Sequence, residues 1–134
     1  MRAVEFIVLH CTGASANQST DSIKKHWSDV LKWKTVGYHY LVSVDGSFEQ
    51  LLPIEKTSNG VKGFNATSIH ICYKGGLGGV DTRTEPQKET IEMLVKQMKA
   101  KFPDAEIKGH RDFPNVKKYC PSFEVQDWLQ TINL

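Results

Sequence analysis

The stretch from Val4 to His10 constrains the fold more than any other part of the chain. Val4, Phe6, Ile7, Val8 and Leu9 put apolar or aromatic side chains on both sides of a strand's alternation, and the run stops at Cys11-Thr12-Gly13. Such a strand is stable only where both of its faces are covered. The expectation is a central strand in a sheet with helices packed on it.

The rest of the chain supplies those elements. Ser19 or Thr20 can cap a helix with Asp21 in its first turn. Ile23, Trp27, Val30 and Leu31 then form one apolar stripe. Thr84-Glu85-Pro86-Gln87 has the form of a capping box, and Ile91, Leu94, Val95, Met98 and Phe102 share a side of the helix after it. Ser122 is expected to cap a last helix holding Phe123, Val125, Trp128, Leu129 and Ile132. Further strands are expected at Tyr38 to Val44 and Phe48 to Leu52, joined by the turn signal Asp45-Gly46, and at Ser68 to Tyr73 and Ala105 to Lys108. Strands interleaved with helices give the α/β class: a central mixed sheet flanked by about three helices.

With 134 residues, the chain is expected to be one domain, residues 1–134. A net charge of +2 carries no basic footprint for nucleic acid. The three cysteines, Cys11, Cys72 and Cys120, are odd in number and widely spaced, so they read as free or buried thiols and not as a disulfide framework. No apolar run approaches the ~20 residues that span a bilayer. Glu5 interrupts the N-terminal apolar stretch, which therefore does not read as a secretory signal. The expected protein is a monomer made in the cytoplasm without a signal peptide, with neither nucleic acid nor membrane as partner. Gly75-Gly76-Leu77-Gly78-Gly79 reads as a flexible loop and lacks the Lys-Ser/Thr of a phosphate-binding loop.

His10 ends the first strand, His110 follows the strand expected at 105–108, and Cys120 lies ten residues further on. Strand ends are where α/β folds place ligands. Two His and one Cys converging there would make a three-ligand zinc site with one open position, the catalytic kind. Zinc brings the pKa of water down toward about 7 and polarises a carbonyl. On spacing alone, three unrelated polar residues at loop junctions is the commoner reading, since no His-Glu-x-x-His motif joins them.

A set of short segments, in order along nearly the whole chain, sharpens this. They are Phe6-Ile7-Val8-Leu9-His10-Cys11, Val36-Gly37-Tyr38-His39-Tyr40, Asp45-Gly46, Gly63-Phe64-Asn65, Ser68-Ile69 with Gly75-Gly76, Gly109-His110-Arg111-Asp112 and Lys118-Tyr119-Cys120-Pro121-Ser122-Phe123. In these the chain resembles the zinc-dependent N-acetylmuramoyl-L-alanine amidases of the amidase type 2 family, to which phage lysozyme-type amidases and peptidoglycan recognition proteins belong. The resemblance implies that family's fold, zinc ligands His10, His110 and Cys120, and catalytic roles for Tyr38 and Lys118. The implied substrate is peptidoglycan or a muropeptide, cut at the amide between the lactyl group of N-acetylmuramic acid and L-alanine. Asn65, Thr67 and Ser68 fall where relatives line the peptide groove, so they are expected substrate contacts.

His70 stands where relatives usually carry glycine, in Ser68-Ile69-His70-Ile71. It is expected to narrow the groove as a substrate contact or to offer a hydrogen bond near zinc; a histidine without a role is the alternative. Two other functions fit the resemblance: a muropeptide-binding module that does not cut, and a phage amidase that also inhibits an RNA polymerase. Action at the cell wall would then need release through a holin or another route that bypasses secretion.

Overall fold

Alternation along the first strand sorts its side chains onto two faces, and the remaining elements cover both. The computed structural model describes residues 2–134, so Met1 lies outside it. The strands are β1 (Phe6–Cys11), β2 (Tyr40–Val42), β3 (Phe48–Gln50), β4 (Ser68–Tyr73) and β5 (Glu106–Gly109). The helices are α1 (Thr20–Lys25), α2 (Glu85–Lys101) and α3 (Val125–Thr131). The sheet order is β3-β2-β4-β1-β5. β1 runs parallel to β4 and β5, and β2 runs parallel to β4 and antiparallel to β3. The mixed sheet expected from the sequence is present, with β1 inside it.

Ile7, Leu9 and Cys11 of β1, Ile69, Ile71 and Tyr73 of β4, and Tyr40 and Val42 of β2 pack under α2 and α3. Ile91, Leu94, Val95 and Met98 of α2 meet them, as do Val125, Trp128 and Leu129 of α3. The opposite face holds two smaller clusters. Leu41 and Cys72 pack with Ile23 and Trp27, and Val8 packs with Val61 and Phe113. His10, Ser68 and His70 alternate with core residues on their strands, so they lie on this second face.

Helix caps follow the local signals. Ser19 caps α1, its Oγ accepting from Ser22 N at 3.1 Å. Thr84 and Gln87 close the expected capping box in both directions, at 3.2 and 2.9 Å; such caps contribute about 1 kcal/mol each. Gln87 Nε2 also donates to Lys74 O at 3.0 Å, which ties the start of α2 to the chain just past β4.

Three local expectations change. A π-turn at His26–Val30, in which Leu31 N donates to His26 O, follows α1 and rotates the stripe's end away from the sheet. Val30 and Leu31 are therefore exposed at 64% and 42%, while Ile23 and Trp27 are buried. Ser122 does not cap α3, whose N-cap is Glu124; its Oγ donates to Gly76 O at 3.2 Å instead. Tyr38 and His39 precede β2 and lie outside the ladder. Among the described residues, no helix is long and apolar enough to cross a membrane.

Candidate active site

β1 carries His10 to the C-terminal edge of the sheet, where it is 2% exposed. β5 ends at Gly109, and a single 3-10 turn, His110–Asp112, starts there. The Asp112 carboxylate accepts from Gly109 N at 2.9 Å and closes this turn. The chain then returns through Lys118 and Cys120. Arg111 N donates to Cys120 O at 2.9 Å, Cys11 N donates to Cys120 Sγ at 3.2 Å, and Tyr73 Oη donates to Pro121 O at 2.7 Å. Backbone and core together thus hold the Cys120 segment against β1.

His10, His110 and Cys120 offer one donor atom each, and the three atoms lie within 4.8 Å of one another. Among the described residues this is the one such group of His, Cys, Asp or Glu. His10 Nδ1 is 3.6 Å from Cys120 Sγ. A tetrahedral zinc with about 2.0–2.1 Å bonds to nitrogen and about 2.3 Å to sulfur places such atoms about 3.6 Å apart. The His10–Cys120 pair has the spacing of two zinc ligands, and the two-His, one-Cys donor set has the chemistry zinc takes.

Charge states agree. Burial, aided by His70, His110 and Lys118, holds His10 well below the usual imidazole range. Burial and Lys118 lower His110 to about 4. Both rings are neutral at pH 7 and keep a lone pair for a cation. The hydrogen-bonded Cys11 thiol, then burial, push the Cys120 thiol up; a coordinated cation reverses this and takes the thiolate.

A cleft of about 440 Å³ opens over the three donors. Tyr38 and Lys118 both lie on its wall. The Tyr38 ring packs 5.0 Å from that of His10. Burial, with Cys72 and Cys120 beside it, raises the Tyr38 phenol well above its ordinary range, so it stays protonated. Trp27 and Trp33, stacked with centroids 6.4 Å apart, line the cleft with Asn59 and Tyr119. The glycine loop contributes Gly76, Gly78 and Gly79, and any side chain at Gly79 would meet the Tyr119 ring. Trp33, Asn59 and Tyr119 gave no signal as candidates. The glycine run, which reads from sequence only as a flexible loop, also lines the cleft.

The expected groove contacts Asn65, Thr67, Ser68 and His70 do not line this cleft. Strand alternation turns Ser68 and His70 inward, and both are fully buried. Ser68 Oγ and Thr67 Oγ1 donate to Phe64 O at 2.7 and 3.5 Å. Asn65 Oδ1 accepts from Gly60 N, Val61 N and His70 Nε2 at 2.9, 2.8 and 2.9 Å. His70 Nδ1 lies 2.8 Å from His10 Nε2. Burial, with His39, His110 and Arg2, holds His70 well below the usual imidazole range. Asn65 and His70 thus form a layer behind His10, while Thr67 and Ser68 tie back to Phe64. His39 lies in the same layer: its Nδ1 accepts from His70 N at 3.0 Å and its Nε2 donates to Lys56 O at 2.7 Å. His26 is exposed, and Trp27 beside it lines the cleft.

Fold and site together define a class: a hydrolytic enzyme whose cleft is built around three convergent donors at the strand ends. Residues 1–123 match the sequence profile of the N-acetylmuramoyl-L-alanine amidase family, Amidase_2. An endolysin of Enterobacteria phage K11 is 30% identical over 128 residues, covering 92% of this chain and 83% of the relative. An endolysin of the Thermus scotoductus bacteriophage Ph2119 superposes with a TM-score of 0.87 at 23% identity, covering 97% of this chain and 85% of the other. Human PGRP-IBETAC, solved in complex with glycosamyl muramyl pentapeptide, superposes at 0.81 with 18% identity, covering 98% and 84%. The chain belongs to the N-acetylmuramoyl-L-alanine amidase family, and it is an amidase of peptidoglycan.

Proposed function

We propose that the cleft hydrolyses the amide between the lactyl group of N-acetylmuramic acid and the L-alanine of a stem peptide, with zinc as cofactor. The observation that carries this reading is the convergence of His10, His110 and Cys120 beneath the cleft, their donor atoms within 4.8 Å of one another and His10 Nδ1 3.6 Å from Cys120 Sγ. These three would hold the metal, which when bound polarises a carbonyl and makes water nucleophilic at neutral pH.

The chain's own residues supply the rest. Hydrolysis forms a bond from water oxygen to the carbonyl carbon, then breaks the C–N bond, and the leaving amine needs a proton. The protonated Tyr38 hydroxyl holds the attacking water and assists the proton's passage to the amine nitrogen. Lys118 lies on the cleft wall two residues before Cys120, so its ammonium faces charge developing on the carbonyl oxygen. Trp33 and Tyr119 give the substrate apolar ring faces along the cleft lining. A peptidoglycan fragment as substrate is supported by the fold shared with a muramyl-pentapeptide binder. A single catalytic domain is supported by all three apolar clusters packing on one five-stranded sheet.

The test is digestion of purified peptidoglycan by zinc-loaded protein, with product analysis. Free stem peptides and new lactyl carboxyls without new reducing ends are expected. New reducing sugar ends, or full activity in metal-free protein, would overturn the reading. Tight muropeptide binding without turnover would favour a binding module instead.

A further inference from the structure

Backbone amides can only donate hydrogen bonds, and two of them determine the protonation pattern of a whole line of side chains. The N–H groups of Gly60 and Val61 both point at one side-chain atom of Asn65, at 2.9 and 2.8 Å. That atom is therefore the amide oxygen. His70 Nε2 lies 2.9 Å from the same oxygen, so it must carry its proton. A neutral imidazole has one ring proton, which leaves His70 Nδ1 as a lone pair. His10 Nε2 lies 2.8 Å from that lone pair, so it too must be N–H. His10 Nδ1 is then the free lone pair, and it is the atom 3.6 Å from Cys120 Sγ.

We propose that Asn65 and His70 form a relay that holds His10 in its Nε2–H tautomer, so that Nδ1 always presents a lone pair to the donor cluster. The inference rests on the reading of His10 as a metal ligand. A ligating histidine normally donates its other N–H to a carbonyl or carboxylate, which has no alternative polarity. Here the partner is a second imidazole, which can either donate or accept at Nδ1. Asn65 removes that ambiguity, and the Gly60-Val61 peptide removes the ambiguity of Asn65. His70 is a positioning residue, acting on the metal only through His10.

The fold makes room for this ring at a specific cost in side chains. A Cβ at Gly60 would overlap the His70 imidazole. Gly60 has no left-handed φ, so space and not backbone conformation calls for glycine there. His39 stacks on the other side of His70, with centroids 6.0 Å apart and planes 14° from parallel, and pins its backbone N–H. The ring of His70 is thus set by packing, and its proton by hydrogen bonding.

The test combines long-range proton–nitrogen spectra of 15N-labelled protein, metal-free and zinc-loaded, with zinc affinity measured by chelator competition. Both His10 and His70 are expected as Nε2–H in both states, with scalar coupling across the hydrogen bond between His10 Nε2 and His70 Nδ1. Asn65→Leu should release both rings into tautomer mixtures and weaken zinc binding about 10–100-fold. Asn65→Asp keeps an acceptor oxygen and should restore both the tautomers and the affinity. A wild-type His70 protonated at Nδ1, or a folded Asn65→Leu protein with unchanged tautomers and affinity, would overturn the relay. Should Asn65→Leu not fold, the wild-type spectra decide alone. Wild-type protein that binds no zinc would overturn the metal reading and the relay's role with it, whereas wrong tautomers alongside intact zinc binding would overturn the relay alone.

Discussion

His10 Nδ1 and Cys120 Sγ stand 3.6 Å apart although 110 residues separate them in the chain. Only the β1 strand end and the returning segment after β5 bring them together, and Cys11 N holds the sulfur in place from the adjacent peptide. Replacing the sulfur should therefore disturb the metal far more than the fold. Cys120→Ser is expected to lose zinc on dialysis and lose amidase activity while keeping the wild-type circular dichroism spectrum. Zinc content and peptide release, measured on the same preparation, check this.

Tyr38 and Lys118 reach the cleft from different elements, and their removal should look different. Lys118→Met deletes a charge that matters only once negative charge builds on the carbonyl oxygen. Its kcat should fall about 10²–10³-fold with KM nearly unchanged. Tyr38→Phe keeps the ring on His10 and removes only the hydroxyl, so zinc affinity should hold while kcat falls about 10²–10⁴-fold. Steady-state kinetics on a soluble muropeptide separates the two.

Burial lowers His39 to about 4 in the folded chain, against an ordinary value of about 6.5. Between those pH values the unfolded chain binds the extra proton, so stability is complete above about 6.5 and declines as pH falls toward about 4. His10, His70 and His110 are shifted the same way. The metal-free protein should show a midpoint in urea that drops steeply over this window. His39→Gln should flatten the slope by about one proton, or about 1.4 kcal/mol per pH unit.

Arg2 ties Ile54 to the segment that leads into β4. Its guanidinium donates to Ile54 O, Asn65 O, Ala66 O and Ser68 O at 3.1, 3.2, 3.1 and 2.7 Å. Arg2→Met leaves four carbonyls without this donor and should cost about 2–4 kcal/mol in urea unfolding. The loss should appear first as faster amide exchange in residues 54–68.

Gly60→Ala adds one methyl group where the His70 ring already sits. The ring must move or the loop must lift, at about 1–3 kcal/mol. Thermal unfolding measures that cost, and a fall in zinc affinity in the same variant would show that the displaced ring also disturbs His10.

Sequence alone determined which segments are strands and helices and where the capping box lies, and the family resemblance pointed to His10, His110 and Cys120 as a set. Those features are written in short-range periodicity and in local motifs, and physics within a few residues enforces them. It did not show that Asn65 and His70 stand behind His10 and away from the cleft lining, and it put Val30 and Leu31 on the buried stripe. The first depends on contacts between distant segments, the second on the π-turn that follows α1. Parallel pairing sets Val8 against His70 and His10 against Cys72, which decides that His70 meets His10 from behind and never reaches the cleft. Parallel register joins residues 62 positions apart, and no local signal encodes it. Only the tertiary structure could turn an unexpected histidine into the neighbour that sets the proton on His10.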